Sequence, residues 1–375
     1  MDRRTFISHA GVAFALGHPR IVASVPSSVV EAETAKRDKP TGQRLAGRDT
    51  HCKPVIKMIG VGGFGCNAVN KMPDKRFTGI DYISVDNGPN DLKRNRAENT
   101  LDLDCLSGTR YFFSDYGPDV PQINRNAAME ARGRLTAMLQ GADVLFVAVG
   151  TGGGTGSGAA PAIAEIARDM GVLTVAFLTT PFASEGRYRK ELAEASIESL
   201  KPHVDSLIVL PNDRLLGKLG AGASLMDAFM TSTDFFNLAI CEVAEAIKSP
   251  GLVSDDFAGL RTMMSDSGMA MSASGWGDGA ERASVATAEA LGSLLSDGVN
   301  LRTARGVLVN VASSGSLNLS EVDQVMKTIC RCMAEDATVF CDSGLHNYDD
   351  NWLVVTIVAT GLPDAATSID TRKLA

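Results

Sequence analysis

Two short stretches carry glycine at a density that ordinary turns do not need. "VGTGGGTGSGAAP", Val149 to Pro161, has six glycines in thirteen positions, and "GVGGFG" places Gly60, Gly62 and Gly65 behind an apolar run. A glycine inside a helix or strand costs about 0.5–1 kcal/mol relative to alanine, so such clusters point to a use that side chains would block. That use is backbone N–H groups folded around an anion, with a helix expected to begin near Ala159 aiming its positive end at the charge and the Thr155 and Ser157 hydroxyls adding donors. Gly152-Gly-Gly-Thr-Gly-Ser-Gly158 lacks the Lys-Ser/Thr ending of a P-loop. The first loop also fits G-x-G-x-x-G, with Asp86 closing the next strand, so an NAD-dependent oxidoreductase is an alternative. A Rossmann half has one phosphate-binding turn, and this chain has two, each leaving the carboxyl end of a strand. A di- or triphosphate held by backbone fits that better.

Composition narrows the classes further. The 375 residues carry a net charge of −8, the wrong sign for a nucleic-acid-binding surface, and no apolar run reaches the roughly 18–20 residues that span a bilayer. The seven cysteines are scattered without paired C-x-x-C spacing, and the five histidines form no helix-spaced pair, so no metal site is expected. Buried reduced thiols in a cytoplasmic protein are the expectation. Met1-Asp-Arg-Arg-Thr-Phe-Ile resembles the start of a twin-arginine signal, but its apolar core is short and no convincing A-x-A site follows. A flexible extension over residues 1–54 is expected instead.

The elements that position the loops follow from periodicity. Pro54-Val-Ile-Lys-Met-Ile reads as a buried strand entering the first loop, with a short helix over "AVNKM". "IDYISVD", "DVLFVAV", "VLTVAFLTT" and "SLIVLP" are further strands, and helices are expected over Asn124–Leu139, "APAIAEIARDM" and "GRYRKELAEASIESLKPH". The alternation specifies an α/β fold with a parallel sheet covered on both faces. Leu225 to Lys248 is one long apolar-striped helix. Beyond it "GVLVNVA", "ATVFCDS" and "WLVVTIVAT" are strands around a helix from Leu319 to about Ala334, a smaller α+β domain.

"GGGTGSGAAP", together with "TPFASEGRYR", "LIVLPNDRLL" and "GLVSDDFAGLRTMM", resembles the FtsZ family, the bacterial members of the tubulin/FtsZ superfamily, from about Val55 to Leu362. The resemblance implies an N-terminal Rossmann-like GTP-binding domain (55–224), a long central helix (225–249), a C-terminal α+β domain (250–362) with a catalytic-type loop at 250–260, and a short tail (363–375). It implies GTP or GDP as ligand, with Mg2+ an optional companion of the triphosphate. Carried over position by position, Gly62, Gly63, Gly65 and Asn67 match the first phosphate loop, although Phe64 is bulkier than the family's usual residue. Gly152, Gly153, Gly154, Thr155, Gly156, Ser157 and Gly158 match the signature loop. Glu185 and Arg189 match ribose and phosphate contacts, and Asn212, Phe229 and Asp234 the guanine contacts. A carboxylate at 234 can accept from guanine N1 and N2, donors that adenine lacks, while Phe229 stacks on the ring.

The outer-phosphate and hydrolysis positions depart from the family. Asp86-Asn87-Gly88 stands for Asn-Thr-Asp, "YGPDVPQ" replaces a glycine-rich loop so that Pro118 removes an N–H and Asp119 adds charge, and Ser254-Asp-Asp-Phe-Ala-Gly259 keeps Asp256 but has glycine for the second acid. Asp256 is therefore the candidate catalytic residue of a GTPase completed at the subunit interface, with attenuated turnover expected; a fully active enzyme using Asp255 or Asp256 is the alternative. The implied partners are further copies assembled head to tail, or an ordinary FtsZ, at a cytoplasmic division site. "DAATSIDTRKLA" has no likeness to the family's C-terminal docking peptide, so the usual membrane tethers are not expected to recruit it.

Overall fold

β1 (Ile56–Val61) lies between β2 (Ile80–Asp86) and β4 (Val144–Gly150) and is parallel to both, Ile56 registering with Ile80 on one side and Val144 on the other. The computed structural model describes residues 54–72, 79–88, 92–93, 95–103, 119–213, 224–248, 257–265, 267–296, 298–314, 317–346 and 351–363. The expected N-terminal extension, the tail and the loop carrying Asp256 lie outside them. β3 (Asn99–Asp102) pairs with β2, and β5 (Leu173–Thr180) and β6 (Ser206–Pro211) continue beyond β4, giving the order β3-β2-β1-β4-β5-β6, all parallel. Every residue of β5 is buried, as the unalternating "LTVAFLTT" requires of a strand with helices on both faces.

Helices α1 (Gly62–Lys71) and α6 (Leu225–Lys248) cover the face that carries Phe146 and Phe177, where Phe236 of α6 meets Phe177 edge-on at 6.3 Å. Helices α2 (Val120–Glu130), α3 (Arg132–Leu139) and α4 (Gly154–Asp169) bury Ala128, Leu135, Leu139, Ile163 and Ile166 against Ile59, Val61 and Val147 on the other. A further helix, α5 (Arg187–Leu200), follows β5 and packs beside α4.

After α6 the sheet does not end. Helix α7 (Phe257–Met264) leads to β7 (Gly268–Asp278), which pairs in parallel with β6 from Ser206–Gly268 to Val209–Met271. β10 (Trp352–Leu362) is antiparallel to β7 and to β8 (Gly306–Ser314), and β9 (Thr338–His346) runs parallel to β8 at the edge. Among the described residues ten strands form one mixed sheet. Helices α8 (Arg282–Ser296) and α9 (Leu319–Cys330) are joined by Arg282, whose Nε and Nη2 donate to the two Glu321 oxygens at 2.6 and 2.9 Å.

Several expected boundaries move. The helix expected over Asn124–Leu139 starts at Val120, with Pro121 in its first turn where its missing N–H costs nothing, and breaks at Ala131, whose ψ is 2°. Two helix starts shift more: α1 begins at Gly62 and not in "AVNKM", and α4 begins at Gly154 and not near Ala159. β7 and α8 have no counterpart among the expected elements. Of the described cysteines, Cys66 and Cys241 are buried, but Cys330 is exposed and Cys332 and Cys341 are half-buried, which corrects the expectation of uniformly buried thiols.

Candidate functional site

The parallel register aligns the exits of four strands. Val61 pairs with Val149, Gly150 with Thr179 and Thr180 with Pro211, so the turns at Gly62, Thr151, Pro181 and Asn212 share the carboxyl edge. Strand order reverses between β1 and β4, and in open α/β sheets ligands lie in the crevice at that switch point. Both glycine loops open there. Gly62, at φ 71°, turns β1 directly into α1, and a Cβ on it would come 2.9 Å from Gly156 N, so the two loops touch. Gly152, at φ 88°, makes the matching exit from β4 and packs against Arg189.

The glycines divide into two sets. A Cβ on Gly65, Gly156 or Gly158 would strike the backbone of Ala148, Gly150 or Pro121, and one on Gly154 would strike the Val120 side chain. These four let the helices close onto the sheet and onto one another. Gly63 and Gly153 differ, since nothing lies within 4 Å of where their Cβ atoms would be. Space therefore lies open at the first residues of α1 and just before α4, where unpaired N–H groups and the helix dipoles favour an anion. The absence of a side chain thus serves packing at these four positions and leaves open space at Gly63 and Gly153.

The hydroxyls and side chains around the loops are fixed from behind. Ser157 Oγ is buried and accepts the Gly152 N–H at 3.0 Å, holding the loop shape, and Thr155 is buried beside it. Glu185 accepts the Phe182 N–H at 2.8 Å and the Arg189 guanidinium at 2.9 Å, placing that pair at the start of α5. Asn212 is buried and its Oδ1 accepts from Ser232 of α6 at 2.6 Å. Phe229, 37% exposed, meets Phe182 edge-on at 5.4 Å, so its ring is already braced. Asp234 lies 3.5 Å from Lys71 Nζ, which also donates to the Met230 carbonyl. Burial pushes the Asp234 carboxyl up and Lys71 pulls it back. Gly63, Asn67 and Lys71 lie one turn apart on the exposed face of α1.

Sequence reasoning missed Lys71, Phe182, Ser232 and Asn124. Lys71 was legible, four residues beyond Asn67 on one helix face. The others act across the fold: Asn124, buried on α2, accepts from Asn87 Nδ2 at 3.4 Å and donates to the Val120 carbonyl. Asp86 is buried and accepts the Asn87 N–H at 2.8 Å, instead of standing out towards a ribose as a dinucleotide site would need. Asp119 is exposed at the start of α2. Gly259, in the first turn of α7, faces the Phe340 ring, with a Cβ there 3.0 Å from Cε1. Phe64 turns its ring inward onto Gly150 and meets Phe236 edge-on at 5.1 Å. Among the described residues no cluster of three His, Cys, Asp or Glu side chains is arranged to hold a metal, and no helix is long and apolar enough to cross a membrane.

A parallel sheet whose switch point is flanked by two glycine-opened helix starts defines a nucleotide-phosphate-binding class of α/β protein. Comparison with known proteins sharpens this. Residues 55–220 match the GTPase domain of the Tubulin/FtsZ family, and residues 268–363 the C-terminal domain of the FtsZ family. The cell division protein FtsZ of Pseudomonas aeruginosa is 42% identical over 82% of this chain and 77% of its own length. A solved FtsZ dimer from M. jannaschii is 31% identical, with a TM-score of 0.77 over 83% of this chain and 89% of that one. CetZ2 from Haloferax volcanii, at 19% identity and a TM-score of 0.62 over 82% of this chain and 93% of its own, shares the fold. The chain belongs to the FtsZ family. The dinucleotide alternative draws no support from any of these likenesses.

Proposed function

We propose that the chain is a guanine-nucleotide-binding protein of bacterial cell division that assembles head to tail and hydrolyses GTP slowly. The observation that carries the reading is the open space at Gly63 and Gly153, facing two helix starts at the switch point. Backbone N–H groups of residues 62–65 and 153–156 hold the phosphates, with Gly152, Ser157 and Gly158 shaping the loop, Glu185 and Arg189 flank them, and Asn67 faces the same crevice. Phe229 stacks on the base, Asp234 accepts its N1 and N2 protons, and Asn212 braces the wall behind. Mg2+, where it accompanies the triphosphate, would be held mainly by phosphate oxygens and water. The organisation is a nucleotide domain to residue 224, the central helix, and a C-terminal domain from 250 to 362.

Slow turnover is supported at Gly259. The position where the family carries its second acid faces an apolar ring, Phe340, at a distance too short for a side chain to enter without displacement. Asp256 is left as the candidate acid that positions the attacking water. A group of that kind contributes about 10²–10⁴-fold to rate, so losing one of two slows hydrolysis without touching affinity.

Titrating the full chain with a fluorescent GDP analogue and following phosphate release from GTP tests both halves. Micromolar or tighter GDP binding with turnover well below that of an ordinary family member is the expected result. Absence of guanine nucleotide binding ends the reading, and brisk concentration-dependent phosphate release ends the claim of attenuation.

A further inference from the structure

The central helix carries a buried acid that the nucleotide site does not use. Glu242, 8% exposed, accepts a hydrogen bond from Asn310 Nδ2 of β8, and Asn310 is itself 4% exposed. The other atom of that amide, Asn310 Oδ1, is buried without a hydrogen-bond partner. Two more carboxyls face Glu242, Glu245 from the same helix and Asp342 from β9. Lys248 acts on Glu245, and the Cys241 thiol, which also acts on the Tyr82 phenol of β2, feels the charge of Glu242. Three carboxyls thus act on one another where Glu242 of α6 reaches Asn310 of β8.

We propose that a proton on Glu242 is the latch between the central helix and the C-terminal strands: while the proton is held, Glu242 stays seated against Asn310, and when it leaves, the helix and strands part. An ionised Glu242 would sit in an apolar interior opposite two like charges, and parting lets water reach it. A neutral carboxyl has an O–H to donate, and Asn310 Oδ1 is a buried acceptor without a partner. Burial is the largest cause holding the proton on, with Glu245 and then Asp342 adding to it, and Glu242 is pushed up to about 8.

The sign follows from linkage. A carboxyl raised in the folded state binds its proton more tightly than in the unfolded chain, so the stability it supports is complete below the unfolded value of about 4.5 and is lost as pH rises through about 8. The break falls within the physiological range, unlike that of an ordinary glutamate.

Hydrogen exchange of the full-length protein, corrected for intrinsic rate and read at residues 236–248 and 306–314, is measured from pH 6 to 9 beside thermal unfolding. The wild-type chain is expected to lose protection at both segments together, at least tenfold, the loss growing from pH 6 and levelling off near 8. Glu242→Gln keeps a neutral partner for Asn310, so it stays protected across the range and melts no lower than wild type at pH 9. Asp342→Asn levels off at a lower pH than wild type, since one of the two repelling carboxyls is gone. A wild-type profile that is flat, or that Glu242→Gln reproduces, overturns the latch, as does an unmoved levelling point in Asp342→Asn. If Glu242→Gln folds poorly at every pH, wild type against Asp342→Asn decides alone.

Discussion

Gly153 and Gly158 stand in one loop and can be told apart by substitution. A methyl on Gly153 meets nothing, so Gly153→Ala keeps its melting temperature, while the methyl fills room meant for a phosphate and weakens GDP binding about tenfold or more in a fluorescence titration. Gly158→Ala puts its methyl within 2.8 Å of the Pro121 carbonyl carbon, and overpacking of that kind costs about 1–3 kcal/mol or more, read by chemical denaturation. At Asp234 the expectation concerns base choice. Asp234→Asn replaces an acceptor-only group with one that donates on one side, and preference for GDP over ADP falls on the order of 10–100-fold. Equal loss for both nucleotides would show that the carboxylate does not read the base.

Among the elements, α8 and α9 are bridged by the Arg282–Glu321 ion pair above their shared apolar core. The Arg282 and Glu321 side chains are 5% and 15% exposed, and Arg282 also donates to Asn351 at 2.7 Å. Removing one partner leaves a buried charge, so Arg282→Met is expected to lose roughly 3–5 kcal/mol at neutral pH. The Arg282 hydrogen bond holds the Glu321 carboxyl below its ordinary value, so its contribution is present above the unfolded carboxylate range and is lost as pH falls through the depressed folded value. The gap between wild type and variant in urea melts therefore closes in acid. Elements of this kind also mark where sequence stopped being legible. The buried strands announced themselves as unbroken apolar runs, and the 24 residues of α6 as an uninterrupted stripe. The starts of α1 and α4 did not, because glycine reads locally as a helix breaker while close helix–strand packing demanded it inside the helix. β7, "GMAMSASGWGD", was hidden by small residues, two of them glycines on which α8 rests. In the candidate site, the glycine loops stand out in the sequence by composition and spacing, and Asn212, Phe229 and Asp234 only through the family resemblance. The bracing by Ser232 and Phe182 comes from other elements and leaves no local pattern.

At the scale of the whole molecule, the proposed function assigns nucleotide binding and hydrolysis to different parts of the chain. Restoring an acid at Gly259 tests that separation. Gly259→Asp alone is expected to recover little turnover because Phe340 stands against it, whereas Gly259→Asp with Phe340→Ala recovers more, with GDP affinity unchanged in both. Full recovery in the single variant would show that the ring yields easily.

Phe64 has one further consequence. Its ring sits under the first phosphate turn and leans on Phe236, which leans on Phe177, which leans on Phe146. The turn at Gly62 and the middle of the central helix, less than two turns from Glu242, are thus joined by one unbroken row of aromatic contacts.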